Sequence, residues 1–198
     1  MINSNMKYWN QAIFIFFCLF PGLSSSAVLT NINVEKKQER YILHIKAEIN
    51  ANFNTVKRLI TDYENLPLIN SYLKESSIIS TSEDNRTTVS MLTEACILFI
   101  CYKVRHVQTF QLIGQDIVYS RIIPKTSDFH YGWTRWKIKE DTSSMKTPVT
   151  QITLDAEMTP DFFVLPIIGP YQLKKKILEI VTITINNLEK EAQKNQIQ

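Results

Sequence analysis

Pro160-Asp161-Phe162-Phe163-Val164-Leu165-Pro166-Ile167-Ile168-Gly169-Pro170 is the stretch on which the reading of this chain turns. Its three prolines and one glycine keep it out of a helix interior and out of a central strand. Yet six of its eleven residues are large and apolar, and a long helical pattern follows at once. Connections between elements run through water and are normally polar. An oily connection leading into a helix marks the cover of an apolar cavity or a surface that meets lipid. Binding of a hydrophobic molecule is therefore the leading expectation.

Downstream, Leu173, Ile177, Val181 and Leu188 recur at helical spacing and predict a helix from Pro166 or Pro170 to about Gln193. The β-branched run Thr182-Ile183-Thr184-Ile185 has low helix propensity, so burial must hold it. From Glu189 onward the sequence is polar, which predicts fraying, and residues 194–198 are assigned to a tail. Upstream, segments 72–82, 86–96, 101–112, 116–123, 129–140 and 149–158 have the spacing of an antiparallel meander. Before them, Tyr41, Leu43, Ile45, Ala47 and Ile49 alternate with His44, Lys46, Glu48 and Asn50, the mark of a half-buried strand. Residues 28–34 alternate more weakly. Asn52 or Asn54 can cap a helix over Thr55 to Tyr63, and Pro67 precedes a second short helical turn ending near Asn70. This order describes an α+β domain over 28–193, a curved antiparallel sheet around a long C-terminal helix. Such a grip leaves a cleft between sheet and helix, the usual place for a ligand.

The first residues read as an export signal, 1–27. Lys7 precedes the apolar run Ala12 to Phe20, Pro21-Gly22 breaks it, and Ser25-Ser26-Ala27 supplies small residues for cleavage. The run is far shorter than the roughly 20 residues of a membrane span. A retained anchor is the competing reading. A lipoprotein fits poorly, because Cys18 lies inside the apolar run behind Phe17. Cleavage after Ala27 removes one charge, Lys7, and takes the net charge from +3 to +2. That is too mild for a phosphate-seeking surface and argues against nucleic acid as a partner. About 170 residues remain, enough for one domain with a substantial core. The expected location is the periplasm, and the expected state is a monomer.

Cys96 and Cys101 are the cysteines left after cleavage, an even pair that suits a disulfide in an exported protein. Two buried free thiols are the alternative. No histidine stands at ligand spacing from them, so no metal site is expected, and no cofactor motif is present.

Leu59-Ile60-Thr61-Asp62-Tyr63-Glu64-Asn65-Leu66-Pro67, followed by Asn70 and Ser76, resembles the segment that opens START-like domains of the polyketide cyclase and coenzyme Q-binding type. Pro160 through Pro170 is similar to the loop before the last helix in exported bacterial members of this SRPBCC group. Trp136, some two dozen residues earlier, fits as well. The resemblance covers about 30 to 190 and implies the helix-grip fold. It also implies a lipid, quinone, sterol or polyketide in the sheet–helix cavity, with cyclase activity in a minority of members. Its motifs are structural more than catalytic.

Strand parity selects the cavity wall, since alternate residues face the helix. The selected set is Val104, His106, Gln108 and Phe110, then Trp136 and Ile138, then Leu154, Ala156 and Met158. Tyr63, Phe163, Leu173 and Ile177 close it from the helical side. His106 and Gln108 could fix a ligand carbonyl or hydroxyl, or could be an ordinary hydrogen-bonded core pair. In a meander, successive turns alternate between ends of the sheet, which puts Ile97, Leu98, Phe99 and Ile100 at the same rim as Phe162 and Phe163. With Lys125 and Lys174-Lys175-Lys176 nearby, this rim suits brief docking on an anionic membrane leaflet. The four-residue tip could instead be a bulged strand pointing into the core. The lysine run could be a solvated helix face.

Catalysis has little support and no catalytic residue is assigned. No nucleophile elbow or phosphate loop is present, and Asp155 and Glu157 alternate outward, where they read as solvated. Three functions stay open: a carrier of a hydrophobic molecule in the cell envelope, an enzyme of cyclase or dehydrase type, and an envelope protein-interaction module.

Overall fold

Tyr41, Leu43, Ile45, Ala47 and Ile49 are all buried, and their strand is the hinge of the architecture. The computed structural model describes residues 27–97, 99–142 and 148–195. The expected signal, apart from Ala27, lies outside these residues, as do Leu98 and the end of the tail. Strands β1 (Val28–Lys37) and β2 (Arg40–Ile49) form a hairpin. Helix α1 (Phe53–Thr61) follows, capped by the Asn52 side chain, which accepts from the Thr55 N–H at 2.8 Å. A 3-10 turn at Tyr63–Asn65 leads into α2 (Leu66–Ile69). The meander comprises β3 (Leu73–Thr81), β4 (Arg86–Ile97), β5 (Ile100–Ile113), β6 (Ile117–Ile122), β7 (Phe129–Asp141) and β8 (Val149–Pro160). Helix α3 (Gly169–Lys194) ends the chain.

Neighbouring strands pair antiparallel in the order β1-β2-β8-β7-β6-β5-β4-β3. The sheet thus joins the first hairpin to the last strand and curves around α3. The core has two parts. One gathers Ile49, Val56, Ile60, Val118, Ile138, Ile185 and Leu188 beneath α1 and α2. The other gathers Tyr41, Leu43, Ile45, Leu154, Leu173 and Ile177 beneath the first half of α3, and Trp136 and Val181 touch both. The β-branched run of α3 stays helical because Thr184 and Ile185 are buried, with the Thr184 hydroxyl donating back to the Ile180 carbonyl at 2.8 Å.

Three expectations need correction. Residues 28–34, which alternate only weakly, are part of a full ten-residue edge strand, because β2 pairs with them along its length apart from one register shift between Leu29 and Asn31. Fraying from Glu189 does not occur: Glu189 and Ala192 are buried, and Glu189 Oε1 accepts from the Asn50 N–H at 3.0 Å and the Asn50 amide at 2.6 Å. The apolar tip is shorter than four residues, since β4 and β5 continue to Ile97 and Ile100, which pair directly.

Candidate functional site

Antiparallel pairing brings the ends of β4, β6 and β8 to one end of the sheet, where α3 begins. The loop 161–168 is anchored there. Asp161 donates its N–H to the Asp128 carbonyl at 3.0 Å, and the Tyr102 hydroxyl donates to the Phe163 carbonyl at 3.0 Å. Gly169 lets this loop close on α3, because a Cβ there would stand 2.8 Å from Val164 Cγ1.

Beneath the loop lies an apolar hollow of about 210 Å³ between α3 and the sheet. Its wall is Leu43, Ala95, Ile97, Tyr102, Val104, Phe129, Met158, Phe162, Leu173, Ile177, Ile180 and Val181. An adjoining inner hollow of about 200 Å³ is bordered by Ile60, Leu66, Ile69, Leu73, Met91, Phe110 and Trp136 and by the polar Gln108, Ser120, Thr134 and Thr184. Asn70, Thr93 and His106 border both.

His106 is half-buried and faces these hollows. Gln108 Nε2 donates to its Nδ1 at 2.9 Å, Thr93 Oγ1 lies 3.0 Å from its Nε2, and the Ser120 hydroxyl donates to Gln108 Oε1 at 2.7 Å. With Nδ1 accepting, a neutral ring carries its proton on Nε2 and donates to Thr93. Burial drives the His106 pKa down to about 4, against a weak opposing pull from Asp128, so the imidazole is neutral across the physiological range. Burial likewise pushes the Tyr63 phenol up to about 12, and its ring packs 4.6 Å from that of Phe110.

The expected site residues divide. Val104, His106, Met158, Leu173 and Ile177 border the outer hollow, and His106, Gln108, Phe110 and Trp136 the inner one. Ile138, Leu154 and Ala156 share that face but are packed solid in the core, and Tyr63 borders neither hollow. Phe163 is a correction. Its side chain is 67% exposed and borders a shallow outer groove with Lys36, Tyr41 and His130, because its carbonyl is the group turned toward Tyr102. Phe162 takes the inward place, packed against Tyr102 and Phe129. Ile97 is also a wall residue and not a rim residue, being 9% exposed, and Ile100 is half-buried. Phe99, at 84%, is exposed at the tip.

Cys96 and Cys101 face each other across β4 and β5 and form a disulfide, with Cα atoms 3.9 Å apart. Asp155 and Glu157 point outward as expected but are not simply solvated. His44 Nδ1 and Arg135 Nη2 lie 2.6 and 2.7 Å from Asp155, and Arg40 Nη1 lies 2.8 Å from Glu157. Partial burial raises the Asp155 pKa, but the hydrogen bonds from Arg135 and His44 outweigh it and leave the carboxyl below its usual range.

Sequence reasoning missed Asn70, Thr93 and Phe129 as wall residues. Parity along β4 could have found Thr93, whereas Asn70 sits at the end of α2, where no periodicity applies. It also read Lys176 as part of a run. Lys176 is the one permanently charged side chain among those bordering the two hollows, held 2.7 Å from Glu179 Oε2. Among the described residues, no carboxyl group borders either hollow. Among the described residues, no cluster of acidic, histidine or cysteine side chains could hold a metal ion, and no helix is long and apolar enough to cross a membrane.

Comparison with protein-family models and with curated protein sequences finds no match. Solved structures do match. The Zhui aromatase/cyclase of a Streptomyces species superposes with a TM-score of 0.63 at 11% identity, covering 78% of this chain and 94% of that one. A protein from Thermus thermophilus superposes at 0.59 with 18% identity, over 78% of this chain and 98% of that one. A START superfamily protein from Mycobacterium smegmatis superposes at 0.56 with 19% identity, over 77% of this chain and 97% of that one. Sheet order, terminal helix and these superpositions agree: the chain has the START-like (SRPBCC) helix-grip fold.

Proposed function

We propose that this protein binds and carries a hydrophobic small molecule, a lipid, quinone or polyketide-like compound, within the cell envelope. The observation that carries the reading is the apolar hollow between the sheet and α3, with a second, half-polar hollow adjoining it. An apolar hollow of roughly 150 Å³ stays dry and accepts benzene, so each of these has room for about one ring or a short chain. Filling them buries ligand surface at about 25 cal/mol per Å².

The rim supports exchange at a membrane. Phe99, Phe163 and Ile167 are exposed at the end where the loop 161–168 covers the outer hollow, Ile167 to 94%. Ile167 also holds φ at 69°, a left-handed conformation that costs a β-branched residue about 1–2 kcal/mol. A strained, outward isoleucine gains nothing in water but would gain burial in lipid. Lys125, Lys174 and Lys175 at this end suit an anionic leaflet.

Native mass spectrometry of protein taken from its own envelope tests the carrier reading. The expected result is a co-purifying apolar molecule that Ala95→Phe, which fills the outer hollow, displaces. An empty protein with a stoichiometric protein partner would favour an interaction module. A cyclase-type enzyme is the second reading, favoured by His106 facing the hollows. Against it, both ring nitrogens are engaged by Thr93 and Gln108. His106→Ala should weaken carriage by no more than about tenfold and would abolish turnover in an enzyme.

A further inference from the structure

Both ring nitrogens of His106 are engaged, by Gln108 and Thr93, and Gln108, which borders only the inner hollow, keeps one amide hydrogen. The free hydrogen-bonding capacity shared by both hollows lies one step along the network. Thr93 Oγ1 accepts from His106 Nε2, and its own hydroxyl hydrogen has no acceptor among the described residues. Asn70 Oδ1 accepts from the Tyr72 N–H at 3.1 Å, which fixes the orientation of the amide. The Asn70 Nδ2 group, with two hydrogens, then donates to nothing among the described residues. Both side chains border both hollows, so these donors meet where the outer hollow adjoins the inner one.

Their surroundings define what they take. Polar groups in an apolar site are kept when a partner meets them. Thr134 and the second Gln108 amide hydrogen face only the inner hollow, whereas the two groups common to both hollows offer uncharged donors, which suits an acceptor. The acceptor must be neutral. His106 beside them carries no charge, and a buried anion without a cation is strongly disfavoured. Lys176 borders only the outer hollow and is already held by Glu179.

We infer that Asn70 and Thr93 form a donor subsite for a neutral carbonyl oxygen, so that the ligand is a ketone- or quinone-type molecule with apolar parts on both sides of that oxygen. The His106–Gln108–Ser120 chain positions Thr93 and keeps its hydroxyl hydrogen turned toward the ligand. This inference rests on the carrier reading and names the ligand class of that site.

Three probes of one size test it by isothermal titration calorimetry: acetonaphthone, isopropylnaphthalene and naphthoate. Infrared difference spectra of the ketone carbonyl give a second readout. The expected result is ketone binding at least tenfold tighter than hydrocarbon binding, with the carbonyl band shifted to lower frequency. Thr93→Val and Asn70→Leu should each weaken the ketone by roughly tenfold, the worth of one hydrogen bond, and reduce the band shift. Hydrocarbon affinity should hold within about twofold, since only polar groups change. Thr93→Ser, which keeps the hydroxyl, should restore the preference and decides the matter if Asn70→Leu fails to fold. Equal affinity for ketone and hydrocarbon with an unshifted band overturns the subsite but leaves the cavity reading standing. Preference for naphthoate that Lys176→Met removes overturns it in favour of a charged anchor. Failure of all three probes overturns the carrier reading and the subsite with it.

Discussion

The Tyr102 hydroxyl and the Phe163 carbonyl are joined at 3.0 Å across the open end of the sheet. One bond thus ties the wall of the outer hollow to the backbone of the loop that covers it, while the Phe163 ring faces outward. Tyr102→Phe removes this bond and keeps the ring packed on Phe162. The expected cost in stability is about 1 kcal/mol. Hydrogen exchange at Ile168 and Gly169, whose amides are bonded within the loop, should quicken, and a bound apolar probe should leave faster, read by stopped-flow dissociation. An unchanged off-rate would show that ligand leaves by another route.

His106 makes stability depend on pH. Its pKa is about 4 in the fold and 6.5 without the fold, so the folded state favours the neutral ring. The associated stability is whole above 6.5, falls as pH drops through that value, and is gone below about 4. The gap corresponds to about 3 kcal/mol. Carboxyl groups such as Asp155 also lose stability in acid. The measurement is therefore the difference between wild type and His106→Gln in urea unfolding from pH 7 to pH 4, which should shift against wild type by that amount.

Glu189 is a structural carboxyl. Its Oε1 accepts from the Asn50 N–H, the Asn50 amide and the Gln193 amide. Glu189→Ala removes the acceptor of these three donors at the corner between β2 and α1 and should cost about 3 kcal/mol. Chemical denaturation checks this, and Glu189→Gln should recover part of the loss.

The Cys96–Cys101 bridge closes a short loop, so its effect on the unfolded chain is small. Chain-entropy reasoning gives about 2 kcal/mol. Dithiothreitol, or Cys96→Ser with Cys101→Ser, should lower the unfolding free energy by no more than that. The Phe99 tip should become more exchange-labile.

If the rim meets lipid, the protein should sediment with vesicles containing anionic phospholipid and be released by salt. Phe99→Asp with Phe163→Asp should abolish sedimentation with little change in melting temperature, because both side chains are exposed. Undiminished sedimentation would rule out this surface.

Much of the fold was legible. The alternation from Tyr41 to Ile49 and the stripe from Leu173 to Leu188 report period directly, and period is a local property. The site was legible only in part. Parity puts Leu154, Ala156, Trp136 and Val104 on one face, yet whether such a residue lines a hollow or fills the core depends on what stands opposite. Phe162 and Phe163 show the limit. In a loop without period, the Tyr102 bond to the Phe163 carbonyl selects which ring turns inward. Glu189 looked like a solvated tail residue because its partner, Asn50, lies 139 positions away.

The amino-acid order alone pointed to the meander, the terminal helix and the gripping architecture, and made Cys96 and Cys101 a candidate pair. These follow from local periodicity and short-range chemistry. Only the tertiary structure decided that unfilled space remains beneath α3, that His106 and Gln108 bond each other, and that Asn70 and Thr93 keep donors beside both hollows. Empty volume and unmet hydrogen bonds are properties of surfaces brought together from distant parts of the chain, and no window of sequence contains them.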